Sequence, residues 1–328
     1  MSQPVVIVGA GVAGLRCAQL LAQAAVDYVL LEKSDGVGGR VRTDVVDGFR
    51  LDRGFQVFQT AYPEAQTALD YSGLDLQPLE PGALIFTDGK WVRMSDPWRR
   101  PQHALSTLLN PIGTPMDRWR LLRLRAACTS GEATSKPPVD DVSTRSLLTD
   151  EYQFSSDFIN RFMQPWLSGI FLEKQLSTSA SFFRFVFRML SGGDICYPAR
   201  GIQAIPEQML ASLDPARVQL NVPVRSVEGN RVLADDGRVF EGSTIVLAVD
   251  LEAARRLLPN MGGADSRGFT ATRCTYFAAE KAPVAEATLL LNGTGTGPVN
   301  HVFVMSNASR HVAPDGQVLI SASSVGQG

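Results

Sequence analysis

The first sixty residues alternate short apolar runs with glycine-rich or polar turns. Residues 5–8 form a β-branched run that suits a strand buried on both faces of a parallel sheet. Apolar residues at helical spacing follow up to residue 25, and a second apolar run at 28–31 predicts another strand. Strand, tight turn, helix and strand in this order are typical of an α/β domain with a parallel sheet.

Strand and helix patterns stop alternating between residues 76 and 199, where prolines cluster and aromatic residues accumulate. The strand pattern returns with a hairpin signal, an Asp-Asp-Gly turn between runs at 231–234 and 238–240, and with a buried strand predicted at 244–249. The same alternation predicts further strands at 287–291, 301–305 and 317–322. The pattern therefore predicts a doubly wound α/β domain made from two chain segments, and a second domain of α+β type.

Composition and charge restrict the class of protein. The 328 residues suit two domains, and 45% hydrophobic content, 20% charged content and a formal net charge of −2 describe an ordinary globular protein. No nucleic-acid partner is expected, because the chain lacks a basic excess. The four cysteines and three histidines show no metal-ligand spacing, and this cysteine usage fits a reducing, cytoplasmic compartment. No transmembrane helix is expected, since no uncharged apolar run reaches about 18 residues.

The turn after the first predicted strand carries the motif G-x-G-x-x-G at residues 9–14. Gly9 is expected to make the tight turn, Gly11 to let the backbone approach a pyrophosphate, and Gly14 to let the helix pack closely on the strand. The phosphates would then lie at the positive N-terminus of the helix. The motif by itself does not distinguish a cofactor site from a glycine-rich turn.

An acidic residue ends the second predicted strand. Glu32 follows the motif at the spacing from which a carboxylate accepts hydrogen bonds from the ribose diol of a dinucleotide. A 2′-phosphate would place a second negative charge against this carboxylate, so NADP is disfavoured. NAD and FAD both stay open on these residues.

Two further sequence motifs distinguish FAD from NAD as the cofactor. Gly38-Gly39-Arg40 resembles the G-G-R motif of the superfamily of flavin-containing amine oxidases, protoporphyrinogen oxidases and phytoene desaturases. Residues 48–56, a strand ending in Asp-x-Gly, resemble that superfamily's next block, which passes beside the isoalloxazine ring. A double glycine lets backbone amides approach the flavin and its phosphates, and the Arg40 guanidinium offers a fixed pair of donors to the pyrophosphate.

The resemblance also covers the later segment of the α/β domain. Residues 197–206 resemble the superfamily's proline-glycine turn and the helix that leads back to the flavin domain, although Arg200 stands where a second glycine is commoner. The residue that matches Val224 meets the adenine through its backbone in the superfamily. Ala248 is expected beside the cofactor as well.

The resemblance implies FAD as the cofactor and a Rossmann-like FAD-binding domain. That domain is expected at 1–75 and 196–255, with the substrate domain at 76–195 and 256–328. The expected cofactor-binding residues all lie in the motifs or beside them: Val8, Gly9, Gly11, Val12, Ala13, Gly14, Glu32, Lys33, Gly38, Gly39, Arg40, Gly54, Phe55, Gln56, Val57, Val224 and Ala248.

The chain also departs from the superfamily pattern. Gly36 and Ser34 stand where members often carry basic residues, which predicts fewer contacts to the adenosine and the phosphates. Members normally continue with a Gly-Asp segment and a helix that covers the ribityl and pyrimidine end of the flavin. That segment is not found before Gly328, so the chain is expected to be a fragment or to have an incomplete cofactor site.

The implied reaction removes a hydride equivalent from a substrate C–H onto flavin N5, with a small, apolar substrate bound where the two domains meet. Because the flavin carries the redox chemistry, we nominate no catalytic residue, and we expect no metal site. The lysine that many amine oxidases hold near N5 is not matched to Lys281 or to another position. Two alternatives stay open: a non-catalytic binder of this fold, as in the GDP-dissociation inhibitors, and an NAD-dependent dehydrogenase.

One segment of the second domain is unusually basic. Residues 98–125 hold six arginines and one aspartate, interleaved with leucine, isoleucine and tryptophan. Such a segment either lies on an anionic membrane, which would suit a lipophilic substrate, or forms a solvated helix face against the neighbouring domain. A small-molecule substrate and peripheral membrane contact are therefore the expected partners, and the oligomeric state is not predicted.

Overall fold

The computed structural model describes residues 3–96, 99–100, 102, 110–130, 141–259 and 268–326. The chain divides into two compact units. The first unit comprises Met1–Asp44, Glu64–Asp75 and Arg200–Phe269, and the second comprises Val45–Pro63, Leu76–Ala199 and Thr270–Gly328. Both units are discontinuous, and residues 45–63 belong to the second. Their assignment as cofactor and substrate domains stays a prediction.

The first unit is built on a parallel sheet of four strands. Their order is Val218–Gln219, Tyr28–Leu31, Val5–Val8 and Thr244–Leu247. The strand Val5–Val8 is fully buried, as its β-branched sequence predicts, because it has a neighbour on each side. The strand predicted at 244–249 is present but only partly buried, since it has a single neighbour in this sheet.

Helices and a small antiparallel sheet complete the first unit. The helices are Val12–Gln23, Pro63–Ala68 at the unit boundary, Ala204–Ala211, Leu251–Leu257 and the 3₁₀ turn Pro215–Arg217. The antiparallel strands are Val224–Glu228, Arg231–Ala234 and Val239–Glu241, which confirms the predicted hairpin. A cluster that includes Val6, Leu31 and Val232 forms the apolar core.

The second unit contains a mixed sheet of six strands. Their order is Thr272–Ala279, Val318–Val325, His301–Val304, Leu289–Asn292, Gly82–Thr87 and Lys90–Ser95. All neighbours are antiparallel except Leu289–Asn292 and Gly82–Thr87. The sequence located three of these strands within two or three residues, and Met305 begins a short helix where the strand was expected to continue. The other three strands, Gly82–Thr87, Lys90–Ser95 and Thr272–Ala279, were missed.

Shorter elements surround this sheet. Thr43–Val46, which begins at the unit boundary, pairs with Phe49–Asp52. Asp47 and Gly48 between them have φ of 51° and 83°, the left-handed conformation that a tight hairpin turn requires. A three-stranded sheet has the order Phe58–Gln59, Ile195–Pro198 and Leu76–Pro78.

The helices of the second unit hold its main apolar core. They are Pro115–Ser130, Thr144–Ser146, Ser156–Phe158, Gln164–Phe171, Ala180–Gly192, Met305–Ala308 and the 3₁₀ turn Arg310–Val312, with π-type turns at Leu147–Glu151 and Ile159–Met163. Phe158, Phe162 and Trp166 contact one another in sequence, with ring centroids 5.4 and 5.6 Å apart. These rings belong to or pack against the core cluster, so the aromatic pattern of this stretch reflects packing. Within the described ranges, no helix has the length and apolarity needed to cross a bilayer.

A buried carboxylate joins two helices of the second unit. Asp117 is fully buried, and its Oδ2 accepts hydrogen bonds from the Thr114 backbone amide at 2.7 Å and from the Ser155 hydroxyl at 2.7 Å. Its Oδ1 accepts from the Ser155 amide at 2.8 Å and from Arg120 at 3.3 Å. Burial alone raises the pKa of Asp117, but the hydrogen bonds from Ser155 and Thr114 outweigh it and lower the pKa to about 2.

We expect Asp117→Asn to destabilise the second unit by about 2–4 kcal/mol, because an amide cannot accept from all of these donors. In the wild-type chain, the contribution of the Asp117 carboxylate to the free energy of unfolding is fully present above the unfolded-state pKa of about 4. It is lost as pH falls from there to about 2, because the unfolded state binds the proton first. Urea unfolding from pH 2 to pH 7 measures both effects. Asp236→Asn, in an exposed pair with Arg238, is the control and should change little. Equal effects of the two substitutions would contradict the assignment.

Candidate functional site

The glycine motif forms a tight turn from strand to helix. Gly9 has φ of +102°, and its amide donates to the Leu31 carbonyl at 2.8 Å, which ties the turn to the neighbouring strand. Gly11 is the N-cap of the helix Val12–Gln23, and no side chain caps that helix. The first backbone N–H groups of the helix are therefore available to an anion.

Backbone packing explains two of the three glycines. A Cβ on Gly14 would lie 1.9 Å from the Gly9 carbonyl oxygen, and a Cβ on Gly9 would lie 2.8 Å from the Ala248 carbonyl oxygen. Neither position tolerates a side chain. A Cβ on Gly11, in contrast, would meet nothing within 4 Å. The helix thus packs closely on the strand, and among the described residues the space beside Gly11 is open. That a pyrophosphate occupies this space stays a prediction.

The double glycine lies directly against this turn. The Gly38 amide donates to the Ala10 carbonyl at 2.8 Å, and Gly11 and Gly38 form an isolated parallel bridge. Gly38 has φ of +105°, and a Cβ there would lie 2.4 Å from the Val41 carbonyl oxygen. A Cβ on Gly39 would lie 3.5 Å from the Gly11 Cα. The two glycine segments, distant in sequence, therefore form one surface of backbone groups.

Glu32 is held in place at the end of its strand. The side chain is 6% exposed, and its Oε2 accepts from the Ala10 amide at 2.8 Å. Its Oε1 accepts from the amide and the hydroxyl of Ser34 at 2.9 and 2.7 Å. A carboxylate has about four lone-pair sites, so it can still accept from a ribose hydroxyl. Ser34, which replaces the expected basic residue, orients this carboxylate.

The structure divides the predicted cofactor-binding residues between the units. Ala248, whose amide donates to the Val8 carbonyl at 2.9 Å, lies beside the glycine turn, and Val222 next to the Val224 segment donates to the Glu32 carbonyl at 2.8 Å. The first unit contains Val8, Gly9, Gly11, Val12, Ala13, Gly14, Glu32, Lys33, Gly38, Gly39, Arg40, Val224 and Ala248, and the second contains Gly54, Phe55, Gln56 and Val57. The role of each residue in binding stays a prediction.

Two tyrosines fix the Asp-x-Gly segment within the second unit. The Tyr197 hydroxyl donates to Asp52 Oδ2 at 2.8 Å, and the Tyr276 hydroxyl donates to the Asp52 carbonyl at 2.8 Å. Burial, together with nearby negative charge, raises the pKa of both tyrosines, so both hydroxyls stay protonated donors. The turn that follows places Gly54 at φ of +93°. Long-range contacts thus hold this segment in one conformation.

A buried histidine lies against the same segment. His301 is 6% exposed, and its ring centroid lies 5.3 Å from that of Phe55. The Asn300 side-chain nitrogen donates to the Pro165 carbonyl at 2.8 Å and lies 3.1 Å from His301 Nδ1, so Nδ1 accepts and the proton is on Nε2. Burial lowers the pKa of His301 to about 4, which keeps the ring neutral near pH 7.

The sequence analysis missed Tyr197, Tyr276 and His301. Tyr197 and Tyr276 lie far in sequence from Asp52, and His301 lies far from Phe55, so no local spacing marks these contacts. The only available signal was the Asp-x-Gly resemblance, which indicates that a buried Asp52 needs partners. In the described part of the chain, no three His, Cys, Asp or Glu side chains converge as metal ligands would.

The chain is similar to flavoproteins. A family model described as flavin containing amine oxidoreductase matches residues 12–328. Chloroplastic protoporphyrinogen oxidase of Nicotiana tabacum is 27% identical over 257 residues, which is 76% of this chain and 44% of that protein. Phytoene desaturase of Cercospora nicotianae is 29% identical over 121 residues, which is 35% of this chain and 18% of that protein. The matches therefore span less than half the length of either relative.

Solved structures support the fold. An oxidoreductase from Methanosarcina mazei superposes with a TM-score of 0.76 at 16% identity, and the match covers 99% of this chain and 79% of that one. At this identity the likeness shows the fold alone. The predicted fold class, α/β with a Rossmann-like domain, is confirmed.

We expect Gly11→Val to abolish FAD binding, because the added side chain would occupy the space beside the helix N-terminus, where a Cβ meets no described atom within 4 Å. Affinity for FAD, measured by flavin fluorescence titration, should fall at least about a hundredfold, the equivalent of about 2.7 kcal/mol. Gly192→Val is the control, since a Cβ there would meet only the Ala61 Cβ at 4.0 Å. Unchanged FAD affinity in a folded Gly11→Val protein would refute the assignment of this turn.

Proposed function

Because the chain belongs to the flavin-containing amine oxidoreductase family, a family of FAD-dependent oxidoreductases, we propose that it oxidises a small, apolar substrate. The proposed reaction transfers a hydride equivalent from a substrate C–H bond to the N5 position of FAD. The flavin, when bound, supplies the redox chemistry. The predicted family and cofactor are confirmed by the family match, while the substrate and the hydride step are proposals.

The observation that carries this proposal is the joined surface of the two glycine segments. Backbone N–H groups at the start of the helix Val12–Gln23 would receive the pyrophosphate beside Gly11, where a Cβ would meet no described atom within 4 Å. The Glu32 carboxylate, already oriented by Ala10 and Ser34, would accept from the ribose hydroxyls. Arg40 is exposed and would add charge-assisted hydrogen bonds to the phosphates.

The second unit would supply the substrate side. The half-buried Phe55 ring packs on Phe303 and on the neutral ring of His301, which are both buried, so Phe55 presents the accessible apolar surface at the Asp-x-Gly segment. Such a surface suits an apolar molecule with few polar groups. The relatives named for phytoene and protoporphyrinogen support a lipophilic substrate for this chain. No side chain of this group is proposed to act as an acid or base.

We also propose that the arginine-rich helix Pro115–Ser130 contacts an anionic membrane. Met116, Trp119 and Leu122 are 53%, 54% and 45% exposed. Arg123 lies over the Trp119 ring at 5.6 Å and donates to a backbone carbonyl, so no carboxylate offsets its charge in these contacts. An exposed apolar face with a cation beside it suits the headgroup region of a bilayer. Trp98 and residues 103–109 of the same basic segment lie outside the described residues.

Not every arginine of this segment is available to lipid. Arg120 pairs with Asp117 at 3.3 Å, Arg125 pairs with Asp96 at 2.9 Å, and Arg100 pairs with Glu80 at 2.9 Å. The membrane contact therefore depends on the exposed apolar face and on few charges.

All four cysteines are free, which supports the proposed reducing, cytoplasmic location with peripheral membrane contact.

Anaerobic reduction tests the proposed activity. The full chain is loaded with FAD and mixed without oxygen with an aliphatic amine, a porphyrinogen or a carotenoid, while the visible flavin band is followed. We expect one class to bleach this band at least about tenfold faster than the other two, because the apolar second unit binds it best. A protein that holds no FAD, or holds it and is reduced by none of the three, would contradict the proposal.

Vesicle co-sedimentation tests the membrane contact. The wild-type chain should sediment with phosphatidylserine-containing vesicles, and W119S/L122S should reduce the bound fraction at least about threefold, because burial of apolar surface and lipid attraction are both needed. Trp91→Ser is the matched control, since Trp91 is also exposed, at 49%, but lies on a strand of the sheet. Equal loss in both variants, or equal binding to neutral vesicles, would refute a specific anionic contact.

A further inference from the structure

A polar cleft lies in the second unit, between the helix Gln164–Phe171 and the loop at 293–299 that joins two strands of the six-stranded sheet. Its volume is about 400 Å³ when open solvent at its mouth is included. The residues that line it contribute four amides, two hydroxyls and one ammonium group, and they include no carboxylate and no aromatic ring. The proposed oxidation assigns no role to this cleft.

Two of the amides hold the walls of the cleft. The side-chain nitrogen of Asn292 donates to the Thr296 carbonyl at 2.7 Å and to the Val299 carbonyl at 2.8 Å, which fixes the loop. The side-chain nitrogen of Asn300 donates to the Pro165 carbonyl at 2.8 Å, which ties the sheet to the helix. The walls are therefore set by the protein's own hydrogen bonds before any ligand arrives.

Three other groups keep unused donors. The Gln164 side-chain oxygen accepts from Arg145 at 3.1 Å, and since arginine can only donate, the Gln164 NH₂ group is left to donate elsewhere. Ser168 is 1% exposed, and its buried hydroxyl has no partner among the residues that the structure describes. Lys174 is exposed and forms no ion pair within the described ranges. Several buried polar atoms lack a partner among the described residues, and the Ser168 hydroxyl is the one whose residue lines this cleft, so it points to a ligand there.

We propose that this cleft binds a small carboxylate. The two oxygens of a carboxylate accept hydrogen bonds and donate none, which matches the unused donors of Gln164, Ser168 and Lys174. The exposed Asn160 amide also lines the cleft and offers a further NH₂ donor beside one carbonyl acceptor. The Lys174 ammonium supplies the single positive charge that a monoanion needs, and no lining carboxylate opposes it. Gly295 and Gly297, with φ of +69° and +76° and no atom within 4 Å of a Cβ, leave the loop side free for the rest of the molecule.

Acetate titration tests this site without any flavin. Chemical shifts of backbone amides in the cleft, such as those of Ser168 and Thr296, should change saturably with acetate in the wild-type chain, with a dissociation constant on the order of millimolar. Lys174→Met should weaken acetate binding at least about tenfold, because the only charge is removed. Ser168→Ala should weaken it about threefold or more through the lost hydrogen bond.

Controls separate specific binding from ionic strength and from unfolding. Lys90→Met removes another exposed lysine of the second unit, one that does not line the cleft, and should leave acetate affinity within about twofold of wild type. If the Ser168→Ala protein fails to fold, the Lys174→Met protein still tests the proposed acetate site, because Lys174 is exposed and its substitution does not disturb the core. The proposal is overturned if sodium chloride causes the same shifts as acetate, if inorganic phosphate binds more tightly than acetate, or if Lys174→Met and Lys90→Met behave alike. Loss of FAD binding or of flavin reduction would not affect any of these outcomes.

Discussion

The contact between the Gly14 Cα and the Gly9 carbonyl oxygen determines the geometry of the first unit. A Cβ on Gly14 would stand 1.9 Å from that oxygen, so the helix can lie this close to the strand only with glycine at that position. Close approach places the uncapped helix N-terminus at the end of the parallel sheet, within reach of Gly38 and Glu32. The proposed phosphate site therefore depends on a steric constraint between backbones, and charge acts only after that constraint is met.

Buried polar groups organise the second unit in a different way. Asp117 and Asp52 are each satisfied by donors far along the chain, Ser155 in the first case and Tyr197 in the second. Such groups stabilise a fold only when their hydrogen bonds are complete, since an unpaired buried charge is costly. Some buried polar atoms of this unit have no partner among the described residues, including the Ser168 hydroxyl, the Gln59 amide and His301 Nε2. Ser168 differs from the other two because it lines the polar cleft.

Local motifs predicted the first unit more accurately than the second. The spacing of glycines, the acidic residue at Glu32 and the hairpin at 231–241 are set by neighbours in sequence, and the structure forms the turn, strand end and hairpin that they indicate. The strand Thr272–Ala279 was missed, although it has eight paired residues, because five of its residues are exposed and its apolar pattern is weak. Its partner strand Val318–Val325, which alternates buried and half-buried positions, was found.

The sequence alone determined which backbone positions must be glycine, where a carboxylate follows the second strand, and hence the fold class, the family and the cofactor type, because these depend on spacing within a few dozen residues. Only the tertiary structure decided that Gly38 bridges to Gly11, that two tyrosines fix Asp52, and that Ser168 and Thr296 border one cleft. The residues in each of these contacts lie far apart in sequence. The same local sequence pattern is therefore compatible with many conformations of the chain between them. Which one occurs is settled by packing and by the need of buried polar groups for partners.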